Sequence, residues 1–227
     1  MNIIQPFTMM VAGPSGCGKT TFVLDLLKHL KLRKILWCNG IANAIPKDIY
    51  RTNQIEILKN VPETFDNIED GTLIILDDLM TEAYNKNICE LFTKGSHHNN
   101  LSVILVTQNV FHQAKYCRDI SLNCKYLVVF KNPRDKSQIL TLARQIYPEN
   151  STDLMRVYNE VTSIPHGYLL FDLTQSSNDL IRFRTDIFNQ NYLTCYCAPA
   201  LLANEKLCTK NETFEGEQTY STCFKRL

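Results

Sequence analysis

The sequence lacks any long hydrophobic run. Its first residues, MNIIQPFTMMVAG, are partly apolar, but Pro6 and Gly13 interrupt them well short of a membrane-spanning length, and no basic segment precedes them. No later stretch approaches that length. The sequence therefore predicts a soluble, intracellular protein with no membrane partner.

An excess of charge of one sign is also missing. The chain has 24 basic residues (Lys and Arg) against 23 acidic ones (Asp and Glu), a formal net charge of +1. Such a balance produces no overall field directed at a polyanion. Any contact with nucleic acid is therefore expected to be local.

Neither a metal-binding spacing nor an internal repeat is found. The cysteines of the tail do not form the two short C-x-x-C pairs of a zinc site, and the adjacent His97 and His98 have no third ligand beside them. Four other cysteines lie in apolar patterns typical of reduced thiols: Cys38, Cys89, Cys117 and Cys124. We therefore expect no zinc and few disulfides.

A phosphate-binding pattern is present at residues 13–22, GPSGCGKTTF, which fits G-x-x-x-x-G-K-[ST]. The apolar run 7–12 precedes it and a helical pattern follows, so strand, loop and helix succeed one another as such a site requires. A glycine turn without ligand is the alternative. The residues expected around the phosphates are Gly13, Pro14, Ser15, Gly16, Cys17, Gly18, Lys19, Thr20 and Thr21.

Two side chains of this loop have expected roles of their own. Lys19 would lie along the β- and γ-phosphates of ATP as a mobile positive charge. The hydroxyl of Thr20 would ligate Mg²⁺. ATP and Mg²⁺ are therefore the predicted cofactors.

The remaining pattern predicts an α/β fold, with a mostly parallel central sheet flanked by helices. Apolar runs predict strands at 34–40, 54–58, 72–78, 101–109 and 125–131, and an antiparallel hairpin from 166 to 188. Helices are expected over 82–94, after Pro133, and from an N-cap at Ser151 or Thr152. We expect one ATPase domain over residues 1–191, followed by a peripheral or partly disordered tail over 192–227.

Polar side chains end two of the predicted buried strands. In LIILDDLM, Asp77 would hold Mg²⁺ and Asp78 would polarise the attacking water. Capping of a strand end is the alternative for this pair. In VILVTQN, the amide of Gln108 would contact the γ-phosphate or orient the water, or else bond to its own loop.

The motifs GPSGCGKT, LIILDDLM, FTKGSHHNNLSVILVTQNVF and FKNPRDKSQ together resemble the genome-packaging ATPases of the FtsK-HerA superfamily. They are most similar to the poxvirus-type ATPases of Polinton or Maverick elements, adintoviruses and virophages. The resemblance covers about residues 5–190. It assigns Lys19 and Thr20 to Walker A, Asp77 and Asp78 to Walker B, and Gln108 to the sensor.

The resemblance implies a hexameric or pentameric ring that couples ATP hydrolysis to pumping double-stranded DNA into a viral capsid. Such a motor acts in the nucleus or cytoplasm of an infected or element-bearing cell, with capsid proteins as partners. DNA would be bound by pore loops, for which residues 47–51 and 115–118 are candidates.

The sequence departs from the family at two points. An aspartate stands at position 78, where relatives usually have glutamate, and residues 96–100 contain no basic finger residue of the kind that related motors carry. The substitute cation in trans would come from one of four residues: Lys94, Arg118, Arg134 or Arg144. These departures leave open an ATP-binding switch with little turnover, and fold analogy leaves open a small nucleotide kinase.

Overall fold

A computed structural model of the chain divides it into two compact units, residues 2–127 and 128–227, with the boundary inside one strand. The described residues are 3–39, 54–65, 67–77, 79, 84–95, 100–111, 115–189, 192–197 and 221–226.

The N-terminal unit alternates strands and helices. Its strands are β1 (Thr8–Ala12), β2 (Lys34–Asn39), β3 (Gln54–Leu58), β4 (Leu73–Asp77) and β5 (Ser102–Thr107), and β6 (Tyr126–Phe130) begins in it. Its helices are α1 (Lys19–His29), α2 (Lys86–Glu90) and α3 (Cys117–Leu122). The strands predicted from the apolar runs are confirmed.

The five strands β1 to β5 lie in the order β1-β5-β4-β2-β3, and their described pairings are all parallel. The fold class predicted from the sequence is therefore confirmed in this unit. Because parallel strands point the same way, their carboxyl ends meet at one edge of the sheet, where ligands of open α/β sheets bind.

Continuous apolar sequence explains why these strands lie at the centre. Every residue of β1 and of β4 is buried, as expected for parallel strands covered on both faces. Helix α1 buries Phe22, Val23 and Leu26, which recur at helical spacing, and it ends with Lys28 and His29. Basic residues in the last turn are favourable because the carboxyl end of a helix is partially negative.

The helix predicted over 82–94 differs from the prediction. The α-helix begins only at Lys86, because the Asn85 side chain accepts a hydrogen bond from the Ile88 amide (2.9 Å) and thereby caps it. From Leu91 to Gly95 the helix widens into a π turn. Glu82 lies outside the described residues.

The C-terminal unit is mixed. Its strands are β7 (Tyr168–Asp172), β8 (Phe183–Thr185), β9 (Tyr192–Cys197) and β10 (Ser221–Arg226), and its helices are α4 (Ser137–Ile146) and α5 (Ser151–Val161). Strands β7 and β8 are antiparallel, which confirms the predicted hairpin. Strand β9 is antiparallel to β8, and β10 is parallel to β9.

Two details of this unit differ from the sequence prediction. The N-cap of α5 is Asn150, not Ser151 or Thr152, because Ser151 already belongs to the helix. The segment expected to be a peripheral tail contains β9, in which Cys195 and Cys197 are fully buried. The proposed domain boundary at 191 itself stays a prediction.

A buried ion pair joins β7 to β8. Asp172 is 5% exposed and Arg184 is 2% exposed, and the Arg184 guanidinium bonds to the Asp172 carboxylate and to the Ile181 carbonyl (2.7 Å). Thr174 donates to the same carboxylate from its amide (3.1 Å) and its hydroxyl (2.6 Å). Both charges are therefore satisfied inside the protein.

Among the described residues, the helices are too short or too polar to cross a membrane.

Candidate functional site

The loop between β1 and α1 has the backbone form of a phosphate cradle. Gly16 and Gly18 have φ angles of +77° and +111°, in the left-handed region that residues with a side chain rarely adopt. Gly18 is also the N-cap of α1. The loop therefore leads directly into the positive end of a helix, where anions bind.

The Lys19 side chain turns back over this loop. Its Nζ donates hydrogen bonds to the carbonyl oxygens of Gly13 (2.7 Å) and Pro14 (2.9 Å). The ammonium therefore connects the last part of the loop to its beginning. Thr20 is half-buried in the first turn of α1, whereas Ser15 and Thr21 are exposed.

The strand register brings Asp77 to the same edge of the sheet. Ala12 at the end of β1 pairs with Thr107 at the end of β5, and Val106 of β5 pairs with Asp77 at the end of β4. The Gly13 amide, where the loop starts, donates to the Thr107 carbonyl (3.1 Å). Asp77 is 6% exposed. The loop and the carboxylate thus lie on either side of the end of β5.

Gln108 directly follows β5 at this edge, and its side chain is exposed. The Thr107 hydroxyl, and not Gln108, forms the local turn: Oγ1 donates to the Asn109 carbonyl (3.2 Å) and accepts from the Asn109 amide (3.4 Å). Asp78 lies outside the described residues. The roles of Asp77, Asp78 and Gln108 stay predictions.

A sequence model of the family described as Poxvirus A32 protein matches residues 2–164 of this chain. The chain belongs to the Poxvirus A32 protein family. The match contains the whole loop, Asp77 and Gln108 and extends beyond α5, so it covers the candidate site entirely. The resemblance found in the sequence motifs is confirmed, and this A32 chain is a viral genome-packaging ATPase.

Among solved structures, the A32 chain is similar to the genome packaging NTPase B204 from Sulfolobus turreted icosahedral virus 2, solved in complex with ATP-gammaS. The two share 16% sequence identity with a TM-score of 0.48, over 76% of this chain and 95% of that chain. No curated protein matches the chain with significance.

Two further polar residues of the A32 chain belong to this edge and were missed in the sequence. Asn39 ends β2 in register with Asp77 and is 3% exposed. It follows the buried run ILWC, so the rule that identified Asp77 would also have found Asn39. The second is Tyr84, whose hydroxyl lies 2.8 Å from Thr107 Oγ1. No sequence pattern indicates that contact.

Burial changes the acidity of two groups near the loop. It raises the pKa of the Tyr84 hydroxyl to about 12, so this group keeps its proton at neutral pH. It also raises the pKa of the Cys17 thiol, an effect that the positive charge of Lys19 partly opposes. The cysteine of the loop is therefore mainly a neutral thiol.

The candidate cations are distributed over both units. Lys94 and Arg118 are exposed in the N-terminal unit, and Arg134 and Arg144 are exposed in the C-terminal unit. Lys115, in one predicted DNA loop, lies 5.3 Å from the centre of the Tyr116 ring. The other predicted DNA loop, residues 47–51, lies outside the described residues, as do His97 and His98.

No cluster of three or more His, Cys, Asp or Glu side chains that could hold a metal ion occurs among the described residues. The hydroxyl of Thr20 and the carboxylate of Asp77 are the described groups of suitable chemistry, because Mg²⁺ prefers hard oxygen donors and one or two carboxylates.

Proposed function

We propose that this A32-family chain hydrolyses ATP and uses the free energy released to move double-stranded viral DNA into a capsid. One observation carries the proposal: the strand register that groups the glycine loop, Asp77 and Gln108 at one sheet edge. A phosphate-binding loop, a carboxylate and an amide are the groups that the hydrolysis of a triphosphate requires.

Binding would begin at the loop. Its backbone amides and the positive end of α1 would hold the β- and γ-phosphates. Lys19 would leave the carbonyls of Gly13 and Pro14, to which it now donates, because the phosphates carry full negative charge and are the stronger acceptors. The ammonium would then stabilise the charge that develops on the transferred phosphoryl group.

The site suits Mg²⁺. Asp77 is a nearly buried carboxylate at the strand edge where the loop begins, and Thr20 follows Lys19 in the first turn of α1. These two residues would hold the ion. When bound, Mg²⁺ would neutralise charge on the β- and γ-phosphate oxygens.

Hydrolysis would proceed by in-line attack of water on the γ-phosphate, releasing ADP and phosphate. On the sequence alone, we assign Asp78 as the group that takes the proton of the water. Gln108 would contact the γ-phosphate or orient the water, because its amide both donates and accepts. A cation from a neighbouring subunit would complete the site, with Lys94, Arg118, Arg134 and Arg144 as candidates.

The motor would act as a homo-oligomeric ring of five or six subunits on a capsid, in the nucleus or cytoplasm of the host cell. Symmetry would multiply a few lysines per subunit into a positive channel, which reconciles the near-neutral chain with a polyanionic substrate. Residues 47–51 and 115–118 are the candidate DNA loops.

The deciding experiment measures ATP hydrolysis by the full chain with and without double-stranded DNA, together with particle size. Lys19→Ala is the test variant, and Lys28→Ala is its control: Lys28 lies on the same helix, is exposed and forms an ion pair with Asp25 (2.7 Å). We expect DNA to stimulate turnover in a ring-sized particle, Lys19→Ala to abolish turnover, and Lys28→Ala to behave as the wild type.

Two outcomes contradict the proposal. Unchanged hydrolysis in Lys19→Ala would reject the site. Tight ATP binding with negligible turnover at every DNA concentration would reject the motor and favour a nucleotide switch.

A further inference from the structure

Tyr84 connects the segment after β4 to the end of β5. It lies beyond Asp77 in the chain and directly before Asn85, the cap of α2. Its side chain is 6% exposed, and its hydroxyl is 2.8 Å from Thr107 Oγ1. A buried tyrosine hydroxyl normally has a hydrogen-bond partner, and here one partner is a residue of the candidate site.

Thr107 is the point where the parts of the site meet. Its carbonyl accepts from the Gly13 amide (3.1 Å), which starts the phosphate loop. Its hydroxyl contacts Tyr84 and both the amide and the carbonyl of Asn109. The residues on both sides of Gln108 are therefore fixed by one hydroxyl.

The direction of these hydrogen bonds follows from proton counting. A threonine hydroxyl has one proton and two acceptor positions. Because Thr107 donates to the Asn109 carbonyl and accepts from the Asn109 amide, the remaining position accepts from Tyr84. Burial keeps the pKa of Tyr84 at about 12, so the tyrosine has the proton that this bond needs.

We propose that Tyr84 is a positioning residue, which sets the Gln108 amide toward the γ-phosphate by holding the Thr107 hydroxyl. The inference rests on the proposed function, since it needs Gln108 to act at the γ-phosphate. In this role Tyr84 acts through Thr107 and not directly on the nucleotide. Its action is on the turn from Thr107 to Asn109, whose conformation decides where the exposed side chain between them points.

The test variant is Tyr84→Phe, which keeps the buried ring and removes only the hydroxyl. The control is Tyr126→Phe: Tyr126 is 1% exposed in the same unit, and its hydroxyl accepts from the Ile4 amide (3.2 Å). Both changes are made in the wild type and in Gln108→Ala. The measurements are kcat, KM, and the dissociation constants of ADP and of a non-hydrolysable ATP analogue.

In the wild-type background we expect Tyr84→Phe to lower kcat about tenfold, as the loss of one hydrogen bond would, with little change in KM. We also expect it to reduce the preference for the ATP analogue over ADP, because that preference reports contact with the γ-phosphate. In Gln108→Ala the same change should have no further effect, since residues that act as a unit are not additive. Tyr126→Phe should leave all four quantities unchanged in both backgrounds.

A second pair of variants guards against misfolding of the first. Thr107→Val removes the hydroxyl at nearly constant shape and should reproduce the Tyr84→Phe losses. Thr107→Ser keeps the hydroxyl and should lose less. An equal loss in valine and serine variants would overturn the inference, because it would place the effect in packing.

The inference and the proposed function fail in different ways. The role of Tyr84 is contradicted if Tyr84→Phe has the kcat of the wild type, or if it lowers kcat equally with and without Gln108. Neither outcome affects the proposed Lys19-dependent, DNA-stimulated turnover. If the wild type does not hydrolyse ATP, the motor is rejected, and the preference for the ATP analogue over ADP still decides the role of Tyr84.

Discussion

The two units of the chain each bury a carboxylate in their sheet, with different surroundings. In the C-terminal unit, Asp172 is enclosed by Arg184 and Thr174, so its charge is matched by residues of the same hairpin. In the N-terminal unit, Asp77 ends a parallel strand, beside β5 and on the edge where the glycine loop starts.

From this difference we predict a structural role for the first carboxylate and a functional role for the second. A buried ion pair within one hairpin has its desolvation offset by its own partner, so removing either member destabilises the fold. A carboxylate at the carboxyl edge of parallel strands lies where ligands bind. Matched substitutions in the two units should therefore affect different measured quantities.

The largest expected effect is the fall in kcat when Asp77 is replaced. Asp77→Asn keeps the size of the side chain and removes the charge that would hold Mg²⁺. We expect kcat to fall roughly 1000-fold, because a catalytic metal supplies several kcal/mol of charge stabilisation. Steady-state ATPase assays over a range of Mg²⁺ concentrations measure this. A turnover within threefold of the wild type would contradict the assignment.

The second effect is on stability. Asp172→Asn leaves the Arg184 guanidinium, 2% exposed, without its counter-charge, and we expect about 3 kcal/mol lower free energy of unfolding. Urea denaturation measures it. Replacing the pair together, Asp172→Leu with Arg184→Met, should cost less because no charge is left uncompensated. If the double variant has a lower free energy of unfolding than Asp172→Asn, an uncompensated charge is not the cause of the loss.

The third prediction compares the reactivity of cysteine thiols in the two units. Cys17 in the loop is partly exposed and its thiol pKa is raised by burial, whereas Cys195 and Cys197 are fully buried. Since only the thiolate reacts, labelling of Cys17 by iodoacetamide should speed up about tenfold per pH unit between pH 7 and 8.5. An ATP analogue should protect it. Mass spectrometry identifies the site.

Cys17→Ser is the control for this labelling. It should lose the pH-dependent, ATP-protected label, while Cys195 and Cys197 stay unlabelled in the native protein. Equal labelling with and without the ATP analogue would contradict the position of Cys17 at the phosphates.

The smallest expected effect concerns Tyr158 of the C-terminal unit. Its hydroxyl donates to the Phe130 carbonyl (2.9 Å) and accepts from the Asn132 amide (3.0 Å). Tyr158→Phe should lower the free energy of unfolding by about 1–2 kcal/mol. Kinetic assays should show an unchanged kcat, in contrast to Tyr84→Phe. The control is Tyr147→Phe, which loses one long contact to Asn150 (3.4 Å). An equal loss of unfolding free energy in this control would contradict the role given to the Tyr158 hydroxyl.

Much of the N-terminal unit could be predicted because its signals are local. The buried strands are continuous apolar runs, and the left-handed conformations of Gly16 and Gly18 require the residue that stands there. The strands that end at Asp77 and Thr107 could be identified for the same reason, although the predicted strands extended to residues 78 and 109. What single-sequence patterns do not give is lateral order: the position of β5 beside both β1 and β4 depends on long-range packing.

Two of the missed features depend on that lateral order, and a third depends on a local helix cap. Tyr84 contacts Thr107 across the sequence, and no spacing rule relates the two. Strand β9 has the sequence YLTCYC, which lacks regular alternation, and it forms a strand because β8 pairs with it. The helix start at Lys86 was missed because the side chain of Asn85 outweighs the apolar pattern around it.

The insertion of β5 between β1 and β4 sets the distance between the glycine loop and Asp77. Neighbouring strands lie about 4.8 Å apart, so the loop and Asp77 are separated by about 10 Å. In the proposed site, a chain of phosphates with its ion would extend over the tip of the middle strand. Cleavage shortens that chain. Thr107 and Gln108 lie at this tip. Their contacts would therefore be the first to change when the γ-phosphate is released.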